Sequence, residues 1–288
     1  ADLTAFSAQF GLPAPNANTF QVVNLGGSTT NDGWGQEAAL DIQMAHAMAP
    51  NAKIILVEAA SAGIADMLAA VDKASALVTA AGGGQVSMSW GSNEFAGETT
   101  LDNRFSASNV VYLASTGDAV APSWPAVSSK VVAVGGTTIA RDASTLAFLG
   151  ENSWTSAGAG FSTQVQRPSF QPASVGSMRG IPDISAVANP DTGVWVRYTF
   201  AGGSGSYWMI FGGTSVAAPV VAGIVNNSAH FYASSTAQNT KIYAAKASTA
   251  SAFRASRTGD CGYHHAYMVT TAWNPCTGVG SPTGRTYQ

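Results

Sequence analysis

A doubly wound α/β domain is the fold this sequence predicts, and three observations predict it. Short apolar runs rich in β-branched residues recur along the 288 residues, as parallel strands covered on both faces do. Ala-rich stretches with helical periodicity separate several of those runs, so strand and helix alternate. The chain is also long enough to bury one large core.

In chain order the expected strands are FQVVNL (20–25), KIILVEA (53–59), QVSMSW (85–90), NVVYLAS (109–115), KVVAVGG (130–136) and YWMIFGG (207–213). The expected helices are QEAALDIQMAHAM (36–48), AGIADMLAAVDKASAL (62–77) and VAAPVVAGIVNNSAHFY (216–232). Residues 140–206 are rich in Gly, Ser and Pro, with only short strand-like pieces, PDISAVA (182–188) and GVWVRYTF (193–200). Their hydrophobic pattern is too regular for a linker, so residues 1–288 are read as one domain with long loops. No internal repeat is visible.

Composition narrows the function classes. Hydrophobic residues make up 46% and charged residues 10%, against roughly 25% charged in ordinary soluble domains. A net charge of -3 with 13 basic residues offers no basic cluster for a polyanion, which argues against nucleic acid. A chain with few bases also avoids self-repulsion once its carboxylates are protonated, a hint of acidic working conditions. The first residue is Ala1 rather than Met, and no basic-then-apolar leader precedes it; the expectation is a processed, exported form. From Tyr198 to Thr240 there is no Asp, Glu, Lys or Arg, but Gly212, Gly213 and Pro219 interrupt the apolar run, which reads as a core helix rather than a membrane span. In an exported chain the pair Cys261 and Cys276 is expected to form a disulfide rather than a redox or metal site.

Ser215 follows a Gly-Gly turn and opens the last predicted helix, with Pro219 placed within its first turn. There Ser215 can be an N-cap or a nucleophile, and the motif leaves both open. A nucleophile needs a base, and the four histidines are His46, His230, His264 and His265. None stands in a context that suggests an imidazole held by a carboxylate. Glu37 and Asp41 are four apart and share a helix face with Leu40, Met44 and Met48, the stripe that should point inward. Two carboxyls on a buried stripe share protons and titrate as a coupled pair with one pKa raised. The alternative is a solvated acidic face. Asp118 follows a strand in a Gly-flanked turn, at the end where open α/β sheets build their sites; if protonated it can donate to an oxyanion, and otherwise it is an ordinary turn aspartate.

Six blocks, QEAALDIQMAHAMAPNAKIILVEA, VSMSWGSNE, STGDAVAPSWPAVSSKVVAVGGT, GAGFSTQVQRPSFQ, RGIPDISAVANPDTG and FGGTSVAAPVVAGI, taken in this order resemble the sedolisin family of serine-carboxyl peptidases. The resemblance implies a subtilisin-like fold with a mostly parallel central sheet of about seven strands, flanked by helices on both faces. It implies that Ser215 is the nucleophile, Glu37 its general base, Asp41 the residue that orients and shares a proton with Glu37, and Asp118 the oxyanion partner. Ser89, Trp90 and Gly91 would form the edge on which a peptide substrate pairs as an added strand. A secreted, monomeric, acid-active peptidase is implied, made with an N-terminal propeptide and acting on protein or peptide substrates.

Two departures stand out. Asn24 in VVNLGG occupies the place where acid-active relatives carry a glutamate. The family's calcium aspartates fall on Ala255 and Asn274, with Thr270 and Ala272 in place of glycines. Without hard oxygen ligands no calcium is expected, and no other metal or cofactor. The expected Cys261–Cys276 disulfide would tie the same segment, with Asp260 left as a residual oxygen ligand. Two other readings are a catalytically silent peptide-binding relative and a conventional subtilase that uses His46.

Overall fold

The computed structural model describes residues 1–27, 31–203, 205–254, 256, 258–270 and 273–284. In chain order, α1 (Asp2–Phe10), β1 (Phe20–Asn24), α2 (Asp32–Met48), β2 (Ile54–Glu58), α3 (Ile64–Ala80) and β3 (Gly84–Met88) build the first half. β4 (Ser92–Asn93), β5 (Val110–Ser115), β6 (Ser123–Trp124), β7 (Val132–Arg141) and β8 (Phe148–Ser153) follow. Then come β9 (Gly160–Gln166), β10 (Met178–Ile181), β11 (Ile184–Val187), β12 (Val194–Thr199) and β13 (Ser206–Phe211). The chain continues through α4 (Thr214–Asn227), α5 (Ser235–Ser248), β14 (Phe253–Arg254), β15 (Asp260–Cys261), β16 (Tyr267–Met268) and β17 (Ser281–Pro282).

The alternation of strand and helix holds, and the α/β class with it. The sheet itself differs from expectation. β11, β7, β5 and β3 lie side by side in parallel, and β8 adds antiparallel to β7, which makes five strands rather than about seven. β1 and β2 form a separate parallel pair, in register from Phe20 with Ile54 to Asn24 with Glu58. YWMIFGG is not a central strand: β13 pairs antiparallel with β12, away from the main sheet. Residues 140–206 hold more strand than their composition suggested, because β8 and the β9–β10 pair fold back as antiparallel ribbons.

α4 is the core of the molecule. Its small side chains, Ala217, Ala218 and Ala222, let it lie against the sheet, with Val221 and Val225 packed on Val111, Leu113 and Ile184. All six residues of β5 are buried, and each fully buried Val or Leu there contributes about 1.5–3 kcal/mol over an exposed one. The helix ends at Asn227, five residues before the predicted end, so His230 lies outside it. Pro219 sits in the second turn rather than the first. Its missing N–H leaves the Ser215 carbonyl without a helical donor, and the Ser89 hydroxyl lies 3.3 Å from that oxygen.

The RGIPDIS block has a structural reason. The Arg179 guanidinium and the Asp183 carboxylate pair without solvent exposure, and Asp183 also accepts from the Ala133 N–H at 2.9 Å and the Tyr243 hydroxyl at 2.8 Å. One carboxylate thus fastens β7, the β10–β11 turn and α5 together.

Candidate active site

Two helices position the site. α2 starts where the Asn31 side chain accepts the Trp34 N–H at 3.1 Å, one turn earlier than the sequence predicted. It packs against α4 at close range: a Cβ on Gly223 would stand 2.5 Å from Met48 Cβ. That contact carries Glu37 and Asp41 of α2 to Ser215, which lies in the first turn of α4.

Ser215 stands near enough to Glu37 for its side chain to act on the carboxyl. Burial raises the Glu37 pKa, the Ser215 side chain works against that rise, and the nearby charge of Asp118 adds to it. Oε1 of Glu37 is shielded from solvent with no hydrogen-bond partner among the described residues. Asp41 is held well above the usual carboxyl range, first by burial and then by the charge of Glu37, while a hydrogen bond from Ser89 pulls it down. That bond runs from Ser89 Oγ to Asp41 Oδ1 at 2.6 Å. The two carboxyls are therefore a coupled pair on an inward stripe, and the solvated-face alternative does not hold.

Asp118 is exposed at the end of β5. Its Oδ1 accepts from the Thr214 N–H at 2.8 Å and the Thr214 hydroxyl at 2.9 Å, and the Gly117 N–H donates to Thr214 Oγ1 at 3.0 Å. Gly213 makes this approach possible: its φ is 104°, and a Cβ there would meet Asp118 Oδ2 at 2.8 Å. Thr214 was not singled out in the sequence, and the only signal was its place between the Gly-Gly turn and Ser215.

Of the predicted binding edge, Ser89 turns toward Asp41, Trp90 stacks obliquely on Trp124 with centroids 5.9 Å apart, and Gly91 lies against the Trp124 carbonyl. A cleft of ≈ 340 Å³ lined by Asn31, Gly33, Trp34, Glu37 and Ser89 opens beside the pair. Trp34, 45% exposed at that mouth, is a second residue sequence reasoning missed.

No described histidine serves Ser215. His46 is buried on α2 with Nε2 2.9 Å from the Pro13 carbonyl, His230 packs on Tyr232, and His265 Nδ1 lies 2.9 Å from Asp260. The Cys261–Cys276 disulfide is formed, with Cα atoms 5.4 Å apart, and both residues are buried beside Ala159. Ala255 and Ala272 lie outside the described residues. At the predicted calcium segment, Asn274 Oδ1 accepts from the N–H groups of Cys276 at 2.9 Å and Thr277 at 3.0 Å. Asn24, at the predicted glutamate position, donates to Glu58 at 2.9 Å.

An α/β domain with a serine opening a central helix and carboxyls gathered around it fits a serine-peptidase class, and the chain belongs to the subtilase family, whose model matches residues 25–267. Within that class it is sedolisin-like. Kumamolisin from Bacillus sp. (strain MN-32) is 29% identical over 98% of this chain and 56% of its own length. Sedolisin from Pseudomonas sp. (strain 101) is 34% identical over 57% of this chain and 29% of its own. The chain therefore spans about half or less of the length of these relatives. Among solved structures, Pseudomonas sedolisin, a serine-carboxyl proteinase complexed with two molecules of pseudo-iodotyrostatin, superposes with a TM-score of 0.80 at 26% identity, covering 98% of this chain and 85% of that one.

Proposed function

We propose that the protein is a serine-carboxyl peptidase that works in acid. The observation that carries the reading is the Ser215–Glu37–Asp41–Ser89 line, in which a serine faces a coupled carboxyl pair and no imidazole. Ser215 attacks the peptide carbonyl and Glu37 takes its proton. Asp41 shares the proton load, so that one negative charge is distributed over the pair. Glu37 returns that proton to the departing amine as the C–N bond breaks, which leaves an acyl-enzyme on Ser215; water, deprotonated by the same pair, then attacks the ester and releases the acid with the proton going back to Ser215. Asp118, anchored through Thr214, is assigned the role of oxyanion partner in this reading.

Substrate chains lie along Ser89, Trp90 and Gly91 as an added strand, with Trp34 and Trp90 as flanking walls. Residues 1–288 act as a single peptidase domain, monomeric and secreted, preceded in synthesis by a propeptide. Among the described residues no helix is long and apolar enough to cross a membrane. The domain needs no calcium: the Cys261–Cys276 bridge ties the segment that a metal would tie, and a disulfide has no proton to gain in acid.

The test is a pH profile on denatured protein substrate for the wild type, Glu37→Gln and Ser215→Ala. An acid optimum is expected, with kcat lowered by about 10⁴ in either variant. An alkaline optimum, or full turnover without Glu37, would refute the reading. A folded chain without turnover under any condition would favour the silent peptide-binding alternative.

A further inference from the structure

The first turn of α2 is a poor helix by composition. It reads Asp-Gly-Trp-Gly, from Asp32 to Gly35, and glycine is the weakest helix former after proline. The same turn carries Trp34, which stands half exposed at the mouth of the cleft shared with Glu37 and Ser89. Its support comes from outside the helix, from the β12–β13 ribbon.

Three side chains grip the outer edge of β12. Gln43, buried in the middle of α2, accepts the Arg197 N–H at 2.9 Å and donates to the Arg197 carbonyl at 2.7 Å. Asp2, at the start of α1, accepts the Thr199 N–H at 3.0 Å and the Thr199 hydroxyl at 2.7 Å. Asp32, at the start of α2, accepts on the single atom Oδ1 both the Tyr198 hydroxyl at 2.8 Å and the Ala201 N–H at 2.9 Å. α2 is thus fastened to the ribbon at two points about three turns apart, and Glu37 lies between them.

An acidic residue in a first turn ordinarily serves the free N–H groups of its own helix. Here Asn31 takes that part by accepting the Trp34 N–H, and Asp32 bonds the ribbon instead. Gly35 has the matching reason: a Cβ there would collide with the Tyr198 hydroxyl. The glycine that weakens the turn is the one that lets the phenol reach Asp32. Tyr198 is itself firmly seated, buried in the cluster of Leu40, Met44 and Val216 and set edge-on to Phe200 with centroids 5.1 Å apart. Burial first, and then Asp32, push the phenol up to about 12, so it stays a donor throughout acid and neutral pH. The Ala201 N–H, followed by the Tyr198 hydroxyl, holds the Asp32 carboxyl below its usual range, so it stays an ionised acceptor further into acid than an ordinary aspartate.

The two fastenings control different parts of α2. Glu37 and Asp41 lie on the stretch held by Gln43 and by the Met48–Gly223 contact with α4. Trp34 lies in the turn held by Asp32 and Tyr198. We infer that Tyr198 and Asp32 are positioning residues for substrate binding, which seat the first turn of α2 on the ribbon and so fix Trp34 as a wall of the cleft. A wall already in place costs less ordering when a substrate binds, so its loss appears in KM while the carboxyl pair keeps its chemistry. Because the guest of the cleft is the polypeptide substrate of the proposed peptidase, this role rests on the peptidase reading.

The experiment uses the 288-residue chain with fluorescein-labelled oxidised insulin B chain as the probe; cleavage gives kcat and KM, and anisotropy on the Ser215→Ala chain gives Kd. Tyr198→Phe, which removes one hydroxyl, should raise KM and Kd at least fivefold and leave kcat within twofold of wild type. Asp32→Ala should do the same, and Asp32→Asn, which keeps an acceptor oxygen, should bring both constants back to within twofold. Trp34→Ala should raise KM by a similar factor, and adding Tyr198→Phe to it should change KM by less than twofold. The Trp34 and Gly35 amides, which bond Asn31, should exchange at least tenfold faster in Tyr198→Phe while those of α4 are unchanged; exchange needs no turnover to be read. An unchanged KM in folded Tyr198→Phe, a fall in kcat at constant KM, full additivity with Trp34→Ala, or unchanged exchange at Trp34 and Gly35 would each overturn the positioning role. A chain that binds the probe and shows the Kd and exchange changes but never cuts it refutes the peptidase and leaves the positioning role standing. One that neither cuts nor binds it overturns both.

Discussion

Replacing Ser89 with alanine removes a short hydrogen bond to Asp41 and a longer one to the Ser215 carbonyl, and leaves both carboxyls in place. The Ser89 hydroxyl donates to Asp41 Oδ1 at 2.6 Å and lowers a pKa that burial and Glu37 hold up. A hydrogen bond to a charged group contributes about 1.5–3 kcal/mol, and one pKa unit corresponds to ~1.4 kcal/mol. Its loss therefore raises the apparent pKa of the pair by about 1–2 units. Glu37 acts as a base only when the pair carries a negative charge, so activity is lost as pH falls through that pKa. In Ser89→Ala the acid limb of kcat/KM moves up by about 1–2 units, while activity above the limb is retained within a few fold. The assay is kcat/KM against pH on a fluorogenic peptide, with near-UV circular dichroism to verify folding. Ser89→Thr, which keeps a hydroxyl, should restore the limb. A folded Ser89→Ala enzyme with an unmoved acid limb would refute the coupling.

Three further outcomes are expected. Glu98 is fully buried and its pKa is pushed from 4.5 up to about 7, chiefly by burial; the folded chain keeps a proton that the unfolded chain releases, so stability falls as pH rises from about 4.5 to about 7, by at most about 3 kcal/mol. Glu98→Gln should flatten that part of the curve in urea unfolding, and parallel curves for the two proteins would contradict it. The double variant Cys261→Ser, Cys276→Ser opens a loop with a separation of 15 residues and should lose about 3 kcal/mol, or roughly 5–10 °C in Tm; chelator should leave the wild-type Tm unchanged, and a drop on chelation would contradict the calcium-free reading. Gly223→Ala places a methyl 2.5 Å from Met48 Cβ, costing about 1–3 kcal/mol; because the strain parts α2 from α4, kcat should fall more than the small loss of folded protein explains.

Much of the site was legible because its signals are local. Glu37 and Asp41 show an i, i+4 spacing on an apolar stripe, and Ser215 follows a turn only glycine can make. Thr214, Trp34 and Glu98 were not legible, since each acquires its role from residues far away in the chain. Thr214 matters through Asp118, 96 positions earlier, and Glu98 through the burial around it. Pro219 was misplaced by a turn because helix starts are set by capping geometry, which the Gly-Gly turn leaves open.

By itself the sequence determined the α/β class, the places of β1, β2, β3, β5, β7, β13 and of α2, α3 and α4 along the chain, and the residue types gathered at the site. Those follow from hydrophobic periodicity and chain direction, which act over a few residues. The tertiary structure alone decided which strands became neighbours, and so removed YWMIFGG from the main sheet and set β1 and β2 apart as a separate pair. It also decided that the carboxyls meet the serine, because helix packing at Gly223, and not any spacing along the chain, brings α2 onto α4. Strand pairing and helix contact join residues distant in sequence, and their free energy resides in surfaces that exist only once the chain has folded.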